Sequence, residues 1–251
     1  ESLEQAWELN QKGRNNIIIG GNLWLKMGRR NIINAIDLSS LGLDKIEEDE
    51  GGFRIGCMAT LHDIETHEGL NKEFQNLFKE AVRHIVGVQF RNCATIGGSI
   101  FPKLGFSDVL TAFLACDTQV ILYKKGEVPL REFIYIPTDN DILTHLYVKK
   151  DGRKTAYESF RMTETDFPTI TCAMAKTQDG FETVLGARPK HAEVVVDEVV
   201  ADAFSSEEVS DYAKRVIGKL QYGSNIRGSE QYRKQLSKVL IGRCISRLTE
   251  E

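Results

Sequence analysis

Ala94-Thr95-Ile96-Gly97-Gly98-Ser99, with Asp108 nine positions further on, decides how this chain is read. A β-branched run ends there in a glycine pair, where bare backbone N–H groups can approach a phosphate that any Cβ would hold away. Ser107 then caps a helix running through Cys116, and Asp108 stands at its mouth as an acceptor suited to ribose hydroxyls. A second glycine pair, Gly20-Gly21, follows the apolar run Ile17-Ile18-Ile19 and leads into a short helical segment. Two strand–Gly-Gly–helix turns, far apart in the chain, point to one long ligand with two ends, a dinucleotide. Alone, Gly20-Gly21 is an ordinary turn and Asp108 an ordinary first-turn acid favoured by the helix dipole. The pairing carries the reading.

The length of 251 residues allows one large domain or two to three small ones, with ample core. The charges, 32 basic against 36 acidic, give a net −4 with no basic block, which excludes nucleic acid and an anionic membrane as partners. No apolar run has the length of a membrane span, and no charged-then-apolar leader opens the chain. The five cysteines are dispersed and odd in number, against a disulfide framework or a C-x-x-C metal site, so a reduced, cytoplasmic protein is expected. The histidines have no common ligand spacing, and no Ser-His-Asp, Cys-His or paired-carboxylate arrangement suggests hydrolysis. The opening at Glu1, already in a helical pattern, leads one to expect a short strand before it.

Along the chain, Ser2 caps a short helix to Leu9, Ile17–Ile19 reads as a buried strand, and Asn31–Leu38 as a second strand. Phe53–Cys57 has period two after Gly51-Gly52, and Thr60–Asp63 is a capping box. Phe74, Leu77, Phe78, Ala81, Val82 and Ile85 recur at helical spacing and predict one helix over 71–86, with Gly87 as its C-cap. Val120 and Leu122 alternate in a strand that turns at Gly126. A polar join at Lys149–Arg153 predicts a domain boundary. Beyond it Ala156–Phe160, Thr169–Ala175 and Phe181–Gly186 read as three antiparallel strands, followed by helices over 206–220 and 229–248. The fold class is α+β, with residues 1–150 as one domain in two lobes (1–50 and 51–150) and 151–251 as a smaller sheet-and-helix domain.

With these residues assembled, the chain resembles the FAD-binding subunit, or middle FAD domain, of the molybdenum hydroxylases, the family of xanthine dehydrogenases and carbon monoxide dehydrogenase. The likeness covers nearly the whole chain. It runs from Ser2-Leu3-Glu4-Gln5-Ala6 through Ile18-Ile19-Gly20-Gly21-Asn22 and Phe53-Arg54-Ile55-Gly56, and is sharpest at Arg91–Ile100 with Asp108. It returns at Gly186-Ala187-Arg188-Pro189 and at Arg227-Gly228-Ser229-Glu230-Gln231-Tyr232-Arg233. The resemblance implies a two-lobed FAD-binding fold of the vanillyl-alcohol oxidase type with a C-terminal flavoprotein domain. It places one pyrophosphate loop on Ile18, Ile19, Gly20, Gly21, Asn22, Leu23, Trp24 and Leu25. The second loop falls on Thr95, Ile96, Gly97, Gly98 and Ser99, the adenosine-side acid on Asp108, an apolar flavin-lining position on Leu143, and the residue facing the flavin N5 edge on Phe101.

Departures from the family pattern are Leu23, where a polar residue is common, Ser159 and Met162 in place of basic residues, with Arg161 as a substitute, and the segment Pro102–Phe106. The family role is an oxidoreductase subunit. Electrons from a molybdopterin-binding large subunit pass through a two-iron–two-sulfur small subunit to FAD here, then to an acceptor such as NAD, within a heterotrimer. The dispersed cysteines exclude the additional four-iron cluster of some members, and the motif arginines Arg227 and Arg233 are expected to pack and pair within the C-terminal domain. Two alternatives stand beside this: a self-contained flavin oxidase or reductase of the same fold, and a flavin-free scaffold subunit.

Overall fold

The β-branched run at the first glycine pair forms β1 (Asn16–Ile19), which lies parallel to β2 (Asn34–Asp37) with Ile18 opposite Ile36. These coordinates are a computed structural model that describes residues 2–199 and 203–249. Asn34 donates a side-chain hydrogen bond to Asn16 Oδ1 at 2.8 Å, tying the two strand starts. A helix over Leu3–Gln11, whose N-cap Ser2 accepts from the Gln5 amide, covers one side. A two-stranded sheet cannot enclose itself, so β1 is half-buried throughout rather than buried as predicted. The second strand is likewise shorter than the predicted 31–38: β1 offers four residues to pair with, and Ile33 is left 69% exposed.

The second lobe is an antiparallel five-stranded sheet of β3 (Ile46–Glu48), β4 (Gly52–Gly56), β5 (Thr118–Leu122), β6 (Gly126–Pro129) and β7 (Leu143–Lys149), in the order β3-β4-β7-β5-β6. Asp49 accepts from the Gly51 and Gly52 amides at 2.8 Å and closes the β3–β4 turn. The predicted helix over 71–86 is broken into Glu68–Glu73 and Leu77–Val82. Gln75 and Asn76 between them take left-handed conformations, at φ 45° and 63°. The buried Asn71 makes the break affordable: its side-chain amide donates to the carbonyls of Ile64, Glu65 and His67, and its Oδ1 accepts from the Lys79 amide at 3.0 Å. Gly87 is not a C-cap but the extended N-cap of a further turn, Val88–Arg91. The periodicity still identified the core, because Phe74, Leu77, Phe78, Ala81 and Val82 are all buried.

The third sheet is antiparallel with order β11-β10-β9-β8, built of β8 (Lys154–Phe160), β9 (Ile170–Thr177), β10 (Gly180–Gly186) and β11 (Glu193–Asp197). It has four strands where three were predicted, since Val194-Val195-Val196 adds an edge. One face packs on the helices Ser206–Gly218 and Glu230–Thr249, the other on the helices Leu77–Val82 and Asp108–Leu114 of the N-terminal half. Covered on both sides, β9 is buried for six successive residues. Tyr157, Ala173 and Val184 therefore join the N-terminal core while Cys172, Met174 and Phe181 join the C-terminal one. Polar bonds cross the same junction. Thr155 donates its amide to Gln75 Oε1 and its hydroxyl to the Phe74 carbonyl, both at 2.6 Å, and Thr111 and Thr171 hydroxyls meet at 2.9 Å. Cys172 and Cys244, far apart in the chain, lie with their sulfurs 3.9 Å apart as free thiols. No helix among the described residues is long and apolar enough to cross a membrane.

Removing the Asn71 side chain takes the donor from the Ile64 and Glu65 carbonyls and the acceptor from the Lys79 amide, while the His67 carbonyl keeps the Asn71 backbone amide. Asn71→Ala is expected to lower unfolding free energy by about 2–4 kcal/mol, read from the urea midpoint, with unchanged m-value.

Candidate functional site

The two glycine turns come together, and the reason their glycines are needed is mostly internal. A Cβ on Gly21 (φ 66°) would overlap the Cys93 carbonyl, and one on Gly20 would overlap the Thr95 hydroxyl. A Cβ on Gly97 would lie 2.9 Å from both Cβ and O of Cys57. Gly98 alone opens outward: its would-be Cβ has only Thr95 Oγ1 at 3.1 Å and the Gly20 carbonyl at 3.4 Å for neighbours. Three of the four glycines thus let one turn seat against the other or against the sheet. The fourth faces the groove between them.

Backbone donors divide just as unevenly. Ile96 donates to the Ala59 carbonyl, Gly97 to Cys57, Gly98 to Thr95 Oγ1 at 3.2 Å and Ser99 to the Thr95 carbonyl. The amides expected to be bare at the second turn are therefore engaged, because the helix that starts there is a short one (Ile96–Ile100) stitched onto the strand end behind it. At the first turn the amides of Gly21, Asn22 and Leu23 have no acceptor among the described residues. Gly21 and Asn22 are both left-handed, at φ 66° and 56°, and both are exposed. Consecutive N–H groups held open in this way form an anion-binding concavity.

Asp108 is not a free carboxylate. It is the first residue of the helix Asp108–Leu114, capped by Ser107, and it is buried. Tyr157 on β8 donates its hydroxyl to Asp108 Oδ1 at 2.5 Å, and Arg161 Nη2 lies 2.8 Å from the same oxygen. Burial pushes the Asp108 carboxyl above the ordinary carboxylate range, against the pull of Arg161 and the Tyr157 hydrogen bond. The Tyr157 phenol is driven well up by burial and by the neighbouring Asp108. Ser107 donates its hydroxyl to the Ser99 carbonyl at 3.2 Å, so this cluster braces the back of the second turn. Arg161 Nη1 also donates to Ser159, and its buried Nε has no partner. No pattern in the sequence marked Tyr157, which sits in the middle of β8.

The other expected positions scatter around this pair of turns. Leu143 starts β7 with its side chain buried, and Phe101 ends the Ile96–Ile100 helix with its ring 6.0 Å from Phe133. Lys103 sits over the Phe133 ring and donates to the Ile136 carbonyl. Ile18, Ile19, Leu23 and Leu25 are half-buried, while Trp24 is 49% exposed. Trp24 meets Phe106 at 5.2 Å and Phe167 at 6.0 Å, and those two rings lie 4.4 Å apart. Neither Phe106 nor Phe167 stood out from periodicity, because each lies in irregular chain. Among the described residues no group of acids, histidines and cysteines could hold a metal ion.

Residues 1–148 match the family described as the FAD binding domain in molybdopterin dehydrogenase. The chain belongs to that family, which makes it an oxidoreductase chain with FAD as cofactor. It is 26% identical over 262 residues to the glyceraldehyde dehydrogenase medium chain of Sulfolobus acidocaldarius, covering 96% of this chain and 93% of that one. It is 24% identical over 252 residues to the uncharacterized protein YgfM of Escherichia coli K12, covering 96% and 91%. In structure it superposes on a chain of carbon monoxide dehydrogenase from Hydrogenophaga pseudoflava with a TM-score of 0.87 at 22% identity, over 98% of this chain and 94% of that one. That likeness establishes the shared fold. The open first turn suits FAD, since an exposed row of unpaired N–H groups is what a pyrophosphate requires.

Removing the counter-charge of Asp108 tests its bracing role. Arg161→Met should cost about 3–5 kcal/mol at neutral pH, because it leaves a buried carboxylate unpaired. Without Arg161 the folded-state pKa of Asp108 rises still further above its unfolded value. Such a group supports the fold below the unfolded pKa and loses that support as pH rises through the folded one. The deficit against wild type should therefore shrink as pH falls toward the carboxylate range, in urea titrations at neutral and mildly acidic pH. A deficit independent of pH would show that Asp108 does not carry it.

Proposed function

We propose that this chain is the FAD-carrying electron-transfer subunit of a multi-subunit molybdenum hydroxylase-type dehydrogenase, with the β1–β2 lobe and the five-stranded lobe arranged as a two-lobed fold of the vanillyl-alcohol oxidase type. When bound, FAD would supply the electron-carrying chemistry between the iron–sulfur clusters of a partner chain and an acceptor such as NAD. Everything this chain does toward that end is binding and orientation. The observation that carries the reading is the open row of amides at Gly21, Asn22 and Leu23 facing a second glycine turn.

The amides of the first turn, Ile18–Leu25, donate to the pyrophosphate. The second turn, Thr95–Ser99, contributes shape: Gly98 leaves the groove free, and the Thr95 hydroxyl, which accepts from the Gly98 amide, keeps its own hydrogen to donate. Leu23 adds no side-chain hydrogen bond, so the anion is held by backbone alone. Asp108 acts from behind the turn, holding it to β8, rather than as a free ribose acceptor. Leu143 and Phe101 line the flavin side, with Phe101 restricting access to the reactive edge. The molybdopterin and the substrate it hydroxylates belong to a large partner subunit, and the two-iron–two-sulfur clusters to a small one.

Gly98→Val tests the groove directly. Its side chain enters the space between the turns, its backbone stays helical, and Thr95 Oγ1, 3.1 Å from the new Cβ, has to give by only a few tenths of an ångström. The variant should fold with wild-type far-UV circular dichroism yet retain FAD at least about tenfold more weakly, read from flavin absorbance after dialysis. Gly97→Val is the uninformative change, since its branches would press on Cys57 and disturb the sheet. Wild-type FAD stoichiometry in Gly98→Val would remove the groove from the binding site.

A further inference from the structure

From Leu9 to Ile36 the chain carries Lys12, Arg14, Lys26, Arg29 and Arg30 and no acid, although its net charge as a whole is −4. Spread through the run, these cations form no basic block; the fold gathers them. All five are exposed, and none has an ion-pair partner among the described residues. The Lys26 amide donates to the Asn22 carbonyl at 3.4 Å, so Lys26 stands one helical turn beyond the open amides of Gly21, Asn22 and Leu23. Because β2 runs parallel to β1, the segment between them has to return to the start of β1. Arg29 and Arg30 lie on that return, where Arg30 donates to the Arg14 carbonyl and the Ile33 amide to that of Asn15 at 2.9 Å. Arg14 and Arg30 are thus at the far end of a four-residue strand, about 13 Å long, from the amides.

Few acids offset this strip. Glu8 and Asp37 bound the run in sequence, and Asp37, opposite Ile19, accepts from the Ser39 amide at 2.9 Å. The carboxylates that other elements bring toward the turns have cations of their own: Asp166 has Arg227 at 3.1 Å and Asp108 has Arg161 at 2.8 Å. Five cations against two carboxylates leave the strip positive. Such a strip does what the amides cannot. The partial charges of open N–H groups act only at close range, so they hold an anion after it has arrived. Full charges reach about a Debye length, ~8 Å at physiological ionic strength and ~30 Å at 0.01 M.

We infer that Lys26, Arg29, Arg30 and Arg14 form an electrostatic approach to the first glycine turn, drawing in the anionic pyrophosphate of FAD and setting the rate at which it is captured. This rests on the function proposed above. The strip ends at the open amides, so a doubly negative group guided along it is delivered to the donors that hold it. The labour is divided: the exposed cations govern association, and the amides with the Gly98 groove govern dissociation.

The test returns FAD to the flavin-stripped chain in a stopped-flow instrument and follows flavin fluorescence at several ionic strengths. The triple variant Lys26→Gln, Arg29→Gln and Arg30→Gln removes three charges, and its glutamine at position 30 can still donate to the Arg14 carbonyl. It should associate at least about fivefold more slowly than wild type at about 0.01 M salt and within about twofold at about 0.15 M. Its rate of flavin loss on dilution and its circular dichroism should match wild type. Arg29→Glu alone, which breaks no hydrogen bond of the structure, should slow association at least about twofold at low salt. Lys214→Gln, Lys219→Gln and Lys238→Gln together, three exposed cations of the C-terminal domain, should leave the rate unchanged, which separates placement from net charge. A wild-type association rate insensitive to salt, variants at position 29 as fast as wild type, or equal slowing in the C-terminal triple overturns the inference and leaves FAD binding in place. Faster flavin loss with unchanged association also overturns it, by making these side chains direct contacts. A wild-type chain that takes up no FAD overturns the proposed function itself.

Discussion

The bond network around Asp108 is the constraint on which the rest depends, because it fixes the second glycine turn to a sheet from the other end of the chain. A buried carboxylate is stable only where its charge is met, and Arg161 and Tyr157 meet it from β8 and the segment just after it. That requirement determines how the C-terminal sheet must sit. Once β8 is anchored there, β9 and β10 lie across the helices Leu77–Val82 and Asp108–Leu114, and both faces of the sheet are enclosed. The result is a single continuous structure in which the C-terminal sheet is a layer of the N-terminal core as much as a domain of its own.

The glycine turns show the same economy at smaller scale. Gly20, Gly21 and Gly97 allow backbone to press on backbone or on Thr95 and Cys57, and that contact brings the two turns side by side. Close packing uses up the amides of the second turn, and the amides left open among the described residues are those of the first. The division is physically sensible. A turn stitched to a sheet end is rigid and supplies shape, while a turn that ends a half-buried two-stranded sheet can keep its N–H groups open to solvent.

Much of this was legible in the sequence, and the failures have identifiable causes. Period-two and period-3.6 patterns found the strands at 53–57 and 156–160 and the buried face of the 74–82 segment. Periodicity reports which residues face the core and not whether the backbone between them is continuous, so the left-handed Gln75-Asn76 break went unseen. The glycine pairs marked the place where two backbone turns meet, yet glycine is required by any close approach, and the sequence does not tell a ligand from a neighbouring strand. Asp108 was singled out for a pattern that was real, but its partners lie 49 and 53 residues away, on β8 and just after it, out of reach of local spacing. Phe106 and Phe167 become a cluster only through the fold that joins their loops to Trp24.

The motif arginines extend the argument to electrostatics. Arg233 was expected to ion-pair, and among the described residues it does not: its acceptors are two carbonyls at the ends of β9 and β10 and the amide oxygen of Asn225. Burial, then the nearby charge of Arg227, pushes its pKa down, and no acid among the described residues pairs with it. Arg188, equally buried, has Glu193. The unpaired charge has a position that makes sense of it. Ala187, whose carbonyl Arg233 holds, donates its amide to Gly105, next to the Phe106 that stacks on Trp24 at the end of the first glycine turn. Arg233 is thereby tied, through Ala187, Gly105 and Phe106, to the turn that the proposed function assigns to the pyrophosphate. On the function proposed above, a cation placed there would favour the FAD-loaded chain over the empty one.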